Sequence, residues 1–373
     1  MKINIVFGHS IPFPPIKGGG IERIDHSLAK ALIKAGHQVI AYSRKNSSLP
    51  NKNIDEYGIE HIRIAGYDYN NSKILNAINS LRWCIKLIFK VKEADVTIFN
   101  SLFAFIMSKQ KKLGVIANSV QRTPDWKLFP YKLFDRNYCT CFSVLKQAEA
   151  LPFKLNNLCV LYNCVEVATK KDFSKSSRTG LHFLFFGRMI ADKGILYLIK
   201  GFEKSLQNYH ENKLFIIGPS KSEEGADEVF YSELFELVKT SGLAKKIIFS
   251  GPIYQKDQLQ DKILDCDAVC FPSTGGEGFP SAVLEAMTLG IPALVSDFGP
   301  MTEAVEHKKS GYITKVANPD SIAEGIVFFT ENKHQLKAMG EYARTCVEKN
   351  FSAEVIAKVL ISDVADFKSK KRK

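Results

Sequence analysis

The feature that most constrains the fold of this chain is a strand, helix, strand pattern that occurs once in each half. The apolar run "INIVF" is followed by "IERIDHSLAKALIKAG", with apolar residues at helical spacing, and then by a strand from Gln38 to Ser43. The pattern restarts with "HFLFFGRM", the helical stretch "GILYLIKGFEKSL" and the strand "KLFIIGPS". These two patterns predict two α/β domains, each built on a parallel sheet flanked by helices.

A polar segment between the two patterns predicts the domain boundary. Residues 168–180, "ATKKDFSKSSRTG", are polar and charged without apolar periodicity, as is typical of a linker. We therefore predict an N-terminal domain over residues 1–167 and a C-terminal domain over residues 181–351. Residues 352–373 form a further helix in this interpretation, and they end in the basic tail "KSKKRK".

Composition excludes several classes of protein. The chain is 45% hydrophobic and 24% charged, which is typical of a globular protein. It has no run of about 18 apolar residues, as a membrane-spanning helix needs, and its N-terminus lacks the apolar block of a secretion signal. We expect a cytoplasmic protein. Its eight cysteines lack the spacing of zinc ligands, so we expect them to be reduced and predict no metal site.

Positive charge is concentrated in the first half of the chain. Residues 1–180 contain 27 Lys and Arg against 13 acids, whereas residues 181–373 contain 24 against 26. This asymmetry predicts an anionic partner for the N-terminal domain. No nucleic-acid-binding motif is recognisable, so an acidic membrane surface is the favoured partner. Residues 74–92, "ILNAINSLRWCIKLIFKVK", are either an amphipathic helix docked on the sheet or a helix that contacts anionic lipid.

Two carboxylates lie on either side of a glycine-containing loop in "STGGEGFPSAVLEAMTLGIPALVSD". Glu277 follows a predicted strand, and Glu285, eight residues later, falls in the first turns of a helix. Carboxylates are good acceptors for hydroxyl groups, and the amides and dipole of a helix start favour phosphate. The pair therefore suits a ligand that has both sugar hydroxyls and phosphate.

This stretch resembles the E-x7-E signature of the family 4 glycosyltransferases, which are retaining enzymes with the GT-B fold of two Rossmann-like α/β domains facing across a cleft. The resemblance implies that Glu277 contacts the hydroxyls of the donor sugar and that Glu285 holds the nucleotide ribose. It also implies that residues 352–373 pack back toward the N-terminal domain. Residues between the two acids are expected to contact the sugar or phosphate; they are Gly278, Phe279, Pro280 and Ser281.

Other stretches are similar to the same family. "FFGRMIADKG" matches its pair of cations, Arg188 and Lys193, which neutralise the charge that develops on a leaving diphosphate. "KGGGIER" resembles its glycine-rich loop, where Gly19 and Gly20 let backbone amides approach the diphosphate. "SGPIYQKDQL" resembles the stretch that packs against the base, with Ile253 as the apolar contact.

One departure from the family concerns the acceptor side. Family members commonly have a histidine after a strand of the N-terminal domain, but "GVIANSVQRTP" has Asn118 and Ser119 in that stretch. His9, in the loop after the first strand, is the substitute that the sequence offers. We assign His9 and Asn118 to the acceptor side on this basis.

The resemblance implies a function. It implies transfer of a hexose-type sugar, without metal or cofactor, from a nucleotide diphosphate sugar to a hydroxyl of a glycan or lipid-linked acceptor, with retention of anomeric configuration. UDP is favoured over GDP as the nucleotide, and assembly of a cell-surface polysaccharide or lipopolysaccharide is the implied setting, at the inner face of the cytoplasmic membrane. Two alternatives stay open: a subunit that binds nucleotide sugar without transferring it, and a GT-B nucleotide-sugar epimerase.

Overall fold

The chain forms two compact units. The computed structural model describes residues 1–14, 20–68, 70, 72–121, 124–155, 157–169, 178–222 and 225–372. Unit 1 comprises Met1–Val165 together with Ala353–Lys373, and unit 2 comprises Glu166–Ser352. The division at Val165 comes two residues before the sequence-based boundary, and residues 170–177 of the expected linker lie outside the described residues.

Unit 1 is built on an eight-stranded sheet with the strand order β3-β4-β2-β1-β5-β6-β7-β8. Its strands are β1 (Lys2–Val6), β2 (Gln38–Arg44), β3 (Lys52–Ile54), β4 (Glu60–Ile64), β5 (Val96–Phe99), β6 (Val115–Val120), β7 (Arg136–Cys139) and β8 (Leu158–Val160). All neighbours are parallel except β3 and β4. The winding direction reverses between β1 and β5, and open α/β sheets bind ligands at the carboxyl end of such a point.

Helices cover both faces of this sheet. They are α1 (Gly20–Lys34), α2 (Lys73–Lys90), α3 (Phe142–Glu149) and α11 (Ala353–Arg372), with a 3₁₀ segment at Trp126–Leu133. Successive residues of β1 point to opposite faces, so Ile5 joins the core under α1 and α11 while Val6 joins the core under α2. Unit 1 is therefore a three-layer α/β unit.

The C-terminal helix α11 packs on α1 and completes one core of unit 1. Ile356, Leu360 and Val364 recur every four residues and are buried, which defines the inner face of the helix. Asp363 accepts hydrogen bonds from Arg136 Nε at 2.8 Å and from Tyr138 Oη at 2.7 Å, both on β7. Apolar packing and these polar contacts together fix the helix on unit 1.

Unit 2 is built on a six-stranded, fully parallel sheet with the strand order β11-β10-β9-β12-β13-β14. The strands are β9 (His182–Phe186), β10 (Lys213–Ile217), β11 (Ile247–Phe249), β12 (Ala268–Phe271), β13 (Ala293–Ser296) and β14 (Gly311–Thr314). The helices are α4 (Ile195–Ser205), α5 (Glu228–Thr240), α6 (Lys256–Asp265), α7 (Ser281–Thr288), α8 (Gly299–Ala304), α9 (Pro319–Glu331) and α10 (Leu336–Asn350). The winding direction reverses between β9 and β12. Within the described parts of both units, no helix is long and apolar enough to cross a membrane.

Candidate functional site

The loops that leave β9 and β12 meet at the reversal point of the unit 2 sheet. A turn at Ala191–Lys193 follows β9, and Gly194 comes directly after it with a φ of +70°. A Cβ atom on Gly194 would lie 1.9 Å from the carbonyl oxygen of Pro272, which follows β12. Only glycine allows this close approach together with this backbone conformation. The β9 loop is therefore packed directly on the β12 loop.

Glu277 is held in position by contacts from two sides. Lys193 Nζ donates a hydrogen bond to Glu277 Oε1, and Ser273 Oγ donates to the same oxygen at 2.8 Å. The carbonyl of Ser273 in turn accepts a hydrogen bond from Ser296 Oγ, at the end of β13, at 2.5 Å. The ends of three neighbouring strands thus fix one carboxylate.

The Lys193–Glu277 ion pair is largely shielded from water. The two side chains are 20% and 14% exposed. A shielded ion pair depends on both partners, because removal of one leaves the other charge without compensation. Chemically, the pair presents a cation and a carboxylate side by side, which suits a ligand with both anionic and hydroxyl groups.

Helix α7 follows this loop and carries the second acid. Glu285 lies in its second turn and is half-buried. Pro280 precedes the helix and has no N–H to donate. The side chain of Phe279 is buried against Phe351, with ring centroids 4.9 Å apart. Of the residues expected between the two acids, Phe279 therefore offers a ligand its backbone and not its ring.

The remaining donor-side predictions are distributed over both units. Arg188 lies in the β9 loop and is half-buried, beside Gly225. Ile253 follows β11, which is two strands away from β9, and it is also half-buried. Gly20 is the first residue of α1 in unit 1, and Gly19 lies outside the described residues. Unit 2 thus brings Arg188, Lys193 and Glu277 to one sheet edge.

Unit 1 has a cavity of its own at the carboxyl ends of β5 and β6. Its volume is about 290 Å³, close to the lower end of the range for small-molecule sites. Apolar and polar side chains both line it, and the polar ones are those of Asn100, Ser101, Asn118, Ser119, Gln121, Asp125, Lys127 and Tyr131. Asn118, an expected acceptor-side residue, is therefore a wall residue of this cavity.

His9 lies elsewhere in unit 1. Its ring is buried, and its Nδ1 lies 3.1 Å from Ser80 Oγ of α2. Burial lowers the pKa of His9, and the nearby Arg44 guanidinium lowers it further, so the ring is neutral at pH 7. His9 is not among the residues that line the described cavity. The structure does not bring His9 and Asn118 to one cavity, because His9 packs against α2.

Gln121 is a cavity residue that sequence reasoning missed. Strand β6 ends at Val120, so Gln121 is the first residue past the strand, the position at which a family histidine was sought. Its Nε2 donates a hydrogen bond to Ser119 Oγ at 2.6 Å, and both side chains line the cavity. The end of β6 is the signal that the sequence did not supply, because the stretch "GVIANSVQRTP" does not mark locally where its strand stops.

The described residues offer no obvious set of metal ligands. Among the residues that the structure describes, no group of three or more His, Cys, Asp or Glu is arranged to hold a metal ion. Six of the eight cysteines are buried. Burial raises the pKa of buried thiols such as Cys84, to about 11, which makes them unreactive as thiolates.

The chain is similar in sequence to glycosyltransferases. Residues 167–345 match the model of the family described as glycosyl transferases group 1. An uncharacterized glycosyltransferase of Methanocaldococcus jannaschii is 34% identical over 38% of this chain, a match that spans only 34% of the relative. Spore coat protein SA of Bacillus subtilis is 23% identical over 97% of this chain and 98% of the relative. A lipopolysaccharide 1,2-N-acetylglucosaminetransferase of Salmonella typhimurium is 30% identical over 47% of this chain and 45% of its own length.

Solved structures show the fold. Sucrose-phosphate synthase of Thermosynechococcus elongatus has a TM-score of 0.81 at 16% identity and covers 99% of both chains. Anabaena HepE in complex with UDP and glucose has a TM-score of 0.76 at 16% identity and covers 98% of this chain and 100% of its own. The fold of the chain is GT-B, with two Rossmann-like α/β units, as predicted.

Proposed function

We propose that this chain is a retaining glycosyltransferase of family 4, which transfers a hexose-type sugar from a nucleotide diphosphate sugar to a sugar hydroxyl. The observation that carries the proposal is the Lys193–Glu277 pair at the reversal point of the unit 2 sheet. Glu285 follows it by eight residues on α7, as in an E-x7-E arrangement. The similarity of residues 167–345 to glycosyl transferases group 1 supports the same activity.

The proposed chemistry assigns one role to each group. Negative charge develops on the departing diphosphate in the transition state, and the cations Arg188 and Lys193 stabilise it. Because these two charges lie in the protein, the reaction is proposed to need no metal ion. Glu277 accepts hydrogen bonds from hydroxyls of the donor sugar, and Glu285 holds the ribose. The amides of Gly278 and Ser281 contact the sugar or phosphate, with Gly19, Gly20 and Ile253 as further donor contacts.

UDP is the proposed nucleotide. The fold relative HepE was solved with UDP and glucose, which supports a UDP sugar as the first donor to test. The acceptor is proposed to be a glycan or lipid-linked sugar used in polysaccharide or lipopolysaccharide assembly. The name of the Salmonella relative, a lipopolysaccharide N-acetylglucosaminetransferase, supports this setting.

Helix α2 supports a membrane-bound acceptor. Its inner face is docked on the sheet, where the buried Trp83 donates a hydrogen bond from Nε1 to the Phe7 carbonyl at 2.9 Å. Its outer face carries a second apolar stripe of exposed side chains at helical spacing: Ile74, Ile78, Leu81, Ile85 and Phe89. Arg82 and Lys90 are exposed on the same helix. An apolar stripe with adjacent cations suits an anionic bilayer, and we propose that unit 1 docks there, at the inner face of the cytoplasmic membrane.

Donor binding is the direct test of the site. The full chain is mixed with UDP, GDP, ADP or a glucose conjugate of one of these nucleotides, in the absence of metal. The unfolding temperature of the chain is then measured. A ligand at about 100 times its dissociation constant stabilises a protein by about 2.7 kcal/mol, so we expect a rise of several degrees with UDP and UDP-glucose. Glu285→Ala is expected to abolish the rise. Glu203→Ala, which removes an exposed acid on α4, is the matched control.

Product analysis then separates the three candidate functions. UDP-glucose is supplied with n-octyl glycosides as acceptor probes. A transferase releases UDP and forms a disaccharide whose NMR spectrum shows the anomeric configuration of the donor. Conversion of UDP-glucose into another UDP-sugar would instead show an epimerase, and donor binding without either product would favour a binding subunit.

A further inference from the structure

The unit 1 cavity has no role in the donor chemistry proposed above. It lies at the carboxyl ends of β5 and β6, next to the point at which the winding direction of the sheet reverses, where open α/β sheets bind ligands. The charged side chains on its described wall, Asp125 and Lys127, pair with each other, with Lys127 Nζ 3.2 Å from Asp125 Oδ2. The described wall therefore carries no net charge, which favours a neutral ligand over a nucleotide diphosphate.

Some polar residues of the wall are already engaged within the protein. Asn100, which follows β5, donates a hydrogen bond from Nδ2 to the buried Asp25 of α1 at 2.5 Å, and its Oδ1 is itself buried. Tyr131 Oη donates to the Ser101 carbonyl at 2.8 Å. These side chains shape the wall, but their polar groups bond inside the protein.

Ser119 and Gln121 differ from these residues, because both are only half-buried where they line the cavity. They lie two residues apart at the end of β6, so their side chains leave an extended chain on the same face. Gln121 Nε2 donates a hydrogen bond to Ser119 Oγ at 2.6 Å. The two side chains therefore form a joined pair on the cavity wall.

This hydrogen bond fixes which groups of the pair can bind a ligand. A serine hydroxyl has one proton to donate, and Ser119 Oγ acts as the acceptor in this contact, so its own proton can be donated elsewhere. Gln121 uses Nε2 in the contact, which leaves its carbonyl oxygen Oε1 as an acceptor. Among the residues that the structure describes, neither the Ser119 proton nor Gln121 Oε1 has a partner. The pair thus presents one donor and one acceptor side by side.

Two neighbouring hydroxyls of a sugar ring match such a pair. Each hydroxyl can both donate and accept, so one can accept from Ser119 while the next donates to Gln121. The C–H groups of the ring would contact the apolar part of the wall, which includes Ile21, Leu102 and Leu128. Small-molecule sites commonly combine an apolar lining with a few polar groups that fix the orientation of the ligand.

We propose that Ser119 and Gln121 form the acceptor-binding pair of the unit 1 cavity, which holds two neighbouring hydroxyls of the acceptor sugar. One hydroxyl accepts a hydrogen bond from Ser119 Oγ, and the other donates a hydrogen bond to Gln121 Oε1. The inference rests on the proposed function, because the ligand of this cavity is taken to be the acceptor. The pair selects sugars in which two adjacent hydroxyls are unsubstituted.

Binding of simple sugars tests the proposal without any need for turnover. The full chain is titrated with methyl glycosides of glucose, galactose, mannose and N-acetylglucosamine, and saturation-transfer NMR gives the dissociation constants. The monodeoxy analogues of the glycoside that binds best are then compared with it. We expect two analogues, which lack adjacent hydroxyls, to bind about 3- to 10-fold more weakly, because each has lost one hydrogen bond. The other analogues should bind like the parent glycoside.

Variants of the pair assign each hydroxyl to its partner. Ser119→Ala should bind the parent glycoside as weakly as the wild type binds one of the two sensitive analogues, and it should no longer distinguish the two ligands. Gln121→Ala should behave in the same way toward the other sensitive analogue. Ser119→Thr keeps the hydroxyl and should restore binding. Gln38→Ala, at an exposed position at the opposite end of the same sheet, is the matched control. The unfolding temperature of each variant is compared with that of the wild type.

Deoxyfluoro analogues test the direction of each hydrogen bond. Fluorine can accept a hydrogen bond weakly but cannot donate one. At the position that accepts from Ser119, fluorine should therefore restore part of the affinity lost in the deoxy analogue. At the position that donates to Gln121, it should restore none, because two acceptors would then face each other.

The outcomes separate this inference from the proposed function. The inference is overturned if the wild type binds none of the four glycosides, if the sensitive hydroxyls are not adjacent, or if the alanine variants keep the wild-type sensitivity. Loss of affinity for UDP-glucose instead of the glycoside in Ser119→Ala would assign the pair to the donor and overturn it as well. A wild type that binds glycosides as expected but releases no UDP from UDP-glucose would overturn the proposed function and leave the pair as a sugar site.

Discussion

The winding direction reverses at the same place in the topology of the two sheets. The charged side chains at the two reversal points differ, however. In unit 2 a carboxylate at this edge is balanced by a lysine, in the Lys193–Glu277 pair. In unit 1 the acids Glu22 and Asp25 lie at the edge with an asparagine, and burial raises the pKa of both. The edge in unit 2 thus carries paired charges, whereas the two acids in unit 1 have pKa values shifted toward the neutral form.

The difference indicates how two similar sheets divide the work of the proposed reaction. A nucleotide diphosphate brings negative charge that must be balanced throughout the reaction, which calls for fixed cations. A sugar acceptor brings neutral hydroxyls, which are bound by amides and hydroxyl groups such as those that line the unit 1 cavity. The fold supplies the position in both cases, and the side chains supply the chemistry.

The largest effect is expected from the charged edge. Lys193→Ala removes a cation that is proposed to stabilise the leaving diphosphate. It also leaves the Glu277 carboxylate, which is largely shielded from water, without its ion-pair partner. We expect kcat for release of UDP to fall by about 10²- to 10³-fold, as for loss of one transition-state donor, with little change in acceptor KM. Steady-state kinetics checks this, with Lys200→Ala on α4 as the control for an exposed lysine. Turnover within about twofold of wild type would contradict the assigned role.

A smaller effect is expected from the packing of the two unit 2 loops. Gly194→Ala would place a Cβ 1.9 Å from the Pro272 carbonyl oxygen, at a φ of +70°. Gly242 has the same φ with no atom within 4 Å, so Gly242→Ala measures the backbone cost alone, about 1–3 kcal/mol. Gly194→Ala should destabilise by about 1–3 kcal/mol more, because the close contact must be relieved. Chemical denaturation of both variants gives the comparison, and equal losses would show that the loops are not tightly packed.

Much of the fold was predictable because the central strands of both sheets are parallel and buried. Their strands are short apolar runs, as in "HFLFF" for β9, and they alternate with helices at regular spacing. The limits of the elements were less predictable. The end of β6 at Val120 depends on pairing with Cys139 of β7, which leaves no local signal in the sequence.

The candidate site was predictable where a motif carried it. Arg188, Lys193 and Glu277 come from two stretches separated by about 80 residues, and each stretch has its own recognisable pattern. The Asp25–Asn100 contact has no such pattern, since 75 residues separate two unremarkable polar side chains. This contact depends on the register in which β1 pairs with β5. The ring of Phe279 shows the opposite case, because a motif residue proved to be a core residue.

The smallest effect is expected at the surface of unit 1, where the basic excess of the chain would act. Arg82 and Lys90 are exposed on α2 beside the apolar stripe that ends at Phe89. A basic residue close to an anionic bilayer contributes about 1 kcal/mol, so Arg82→Ala and Lys90→Ala should each weaken binding to phosphatidylglycerol vesicles about fivefold. Flotation at low and high salt measures this, with Lys245→Ala in unit 2 as the exposed control. Because these contacts are screened, the differences should shrink at high salt. Equal binding to neutral and anionic vesicles would show that the charge of unit 1 serves another partner.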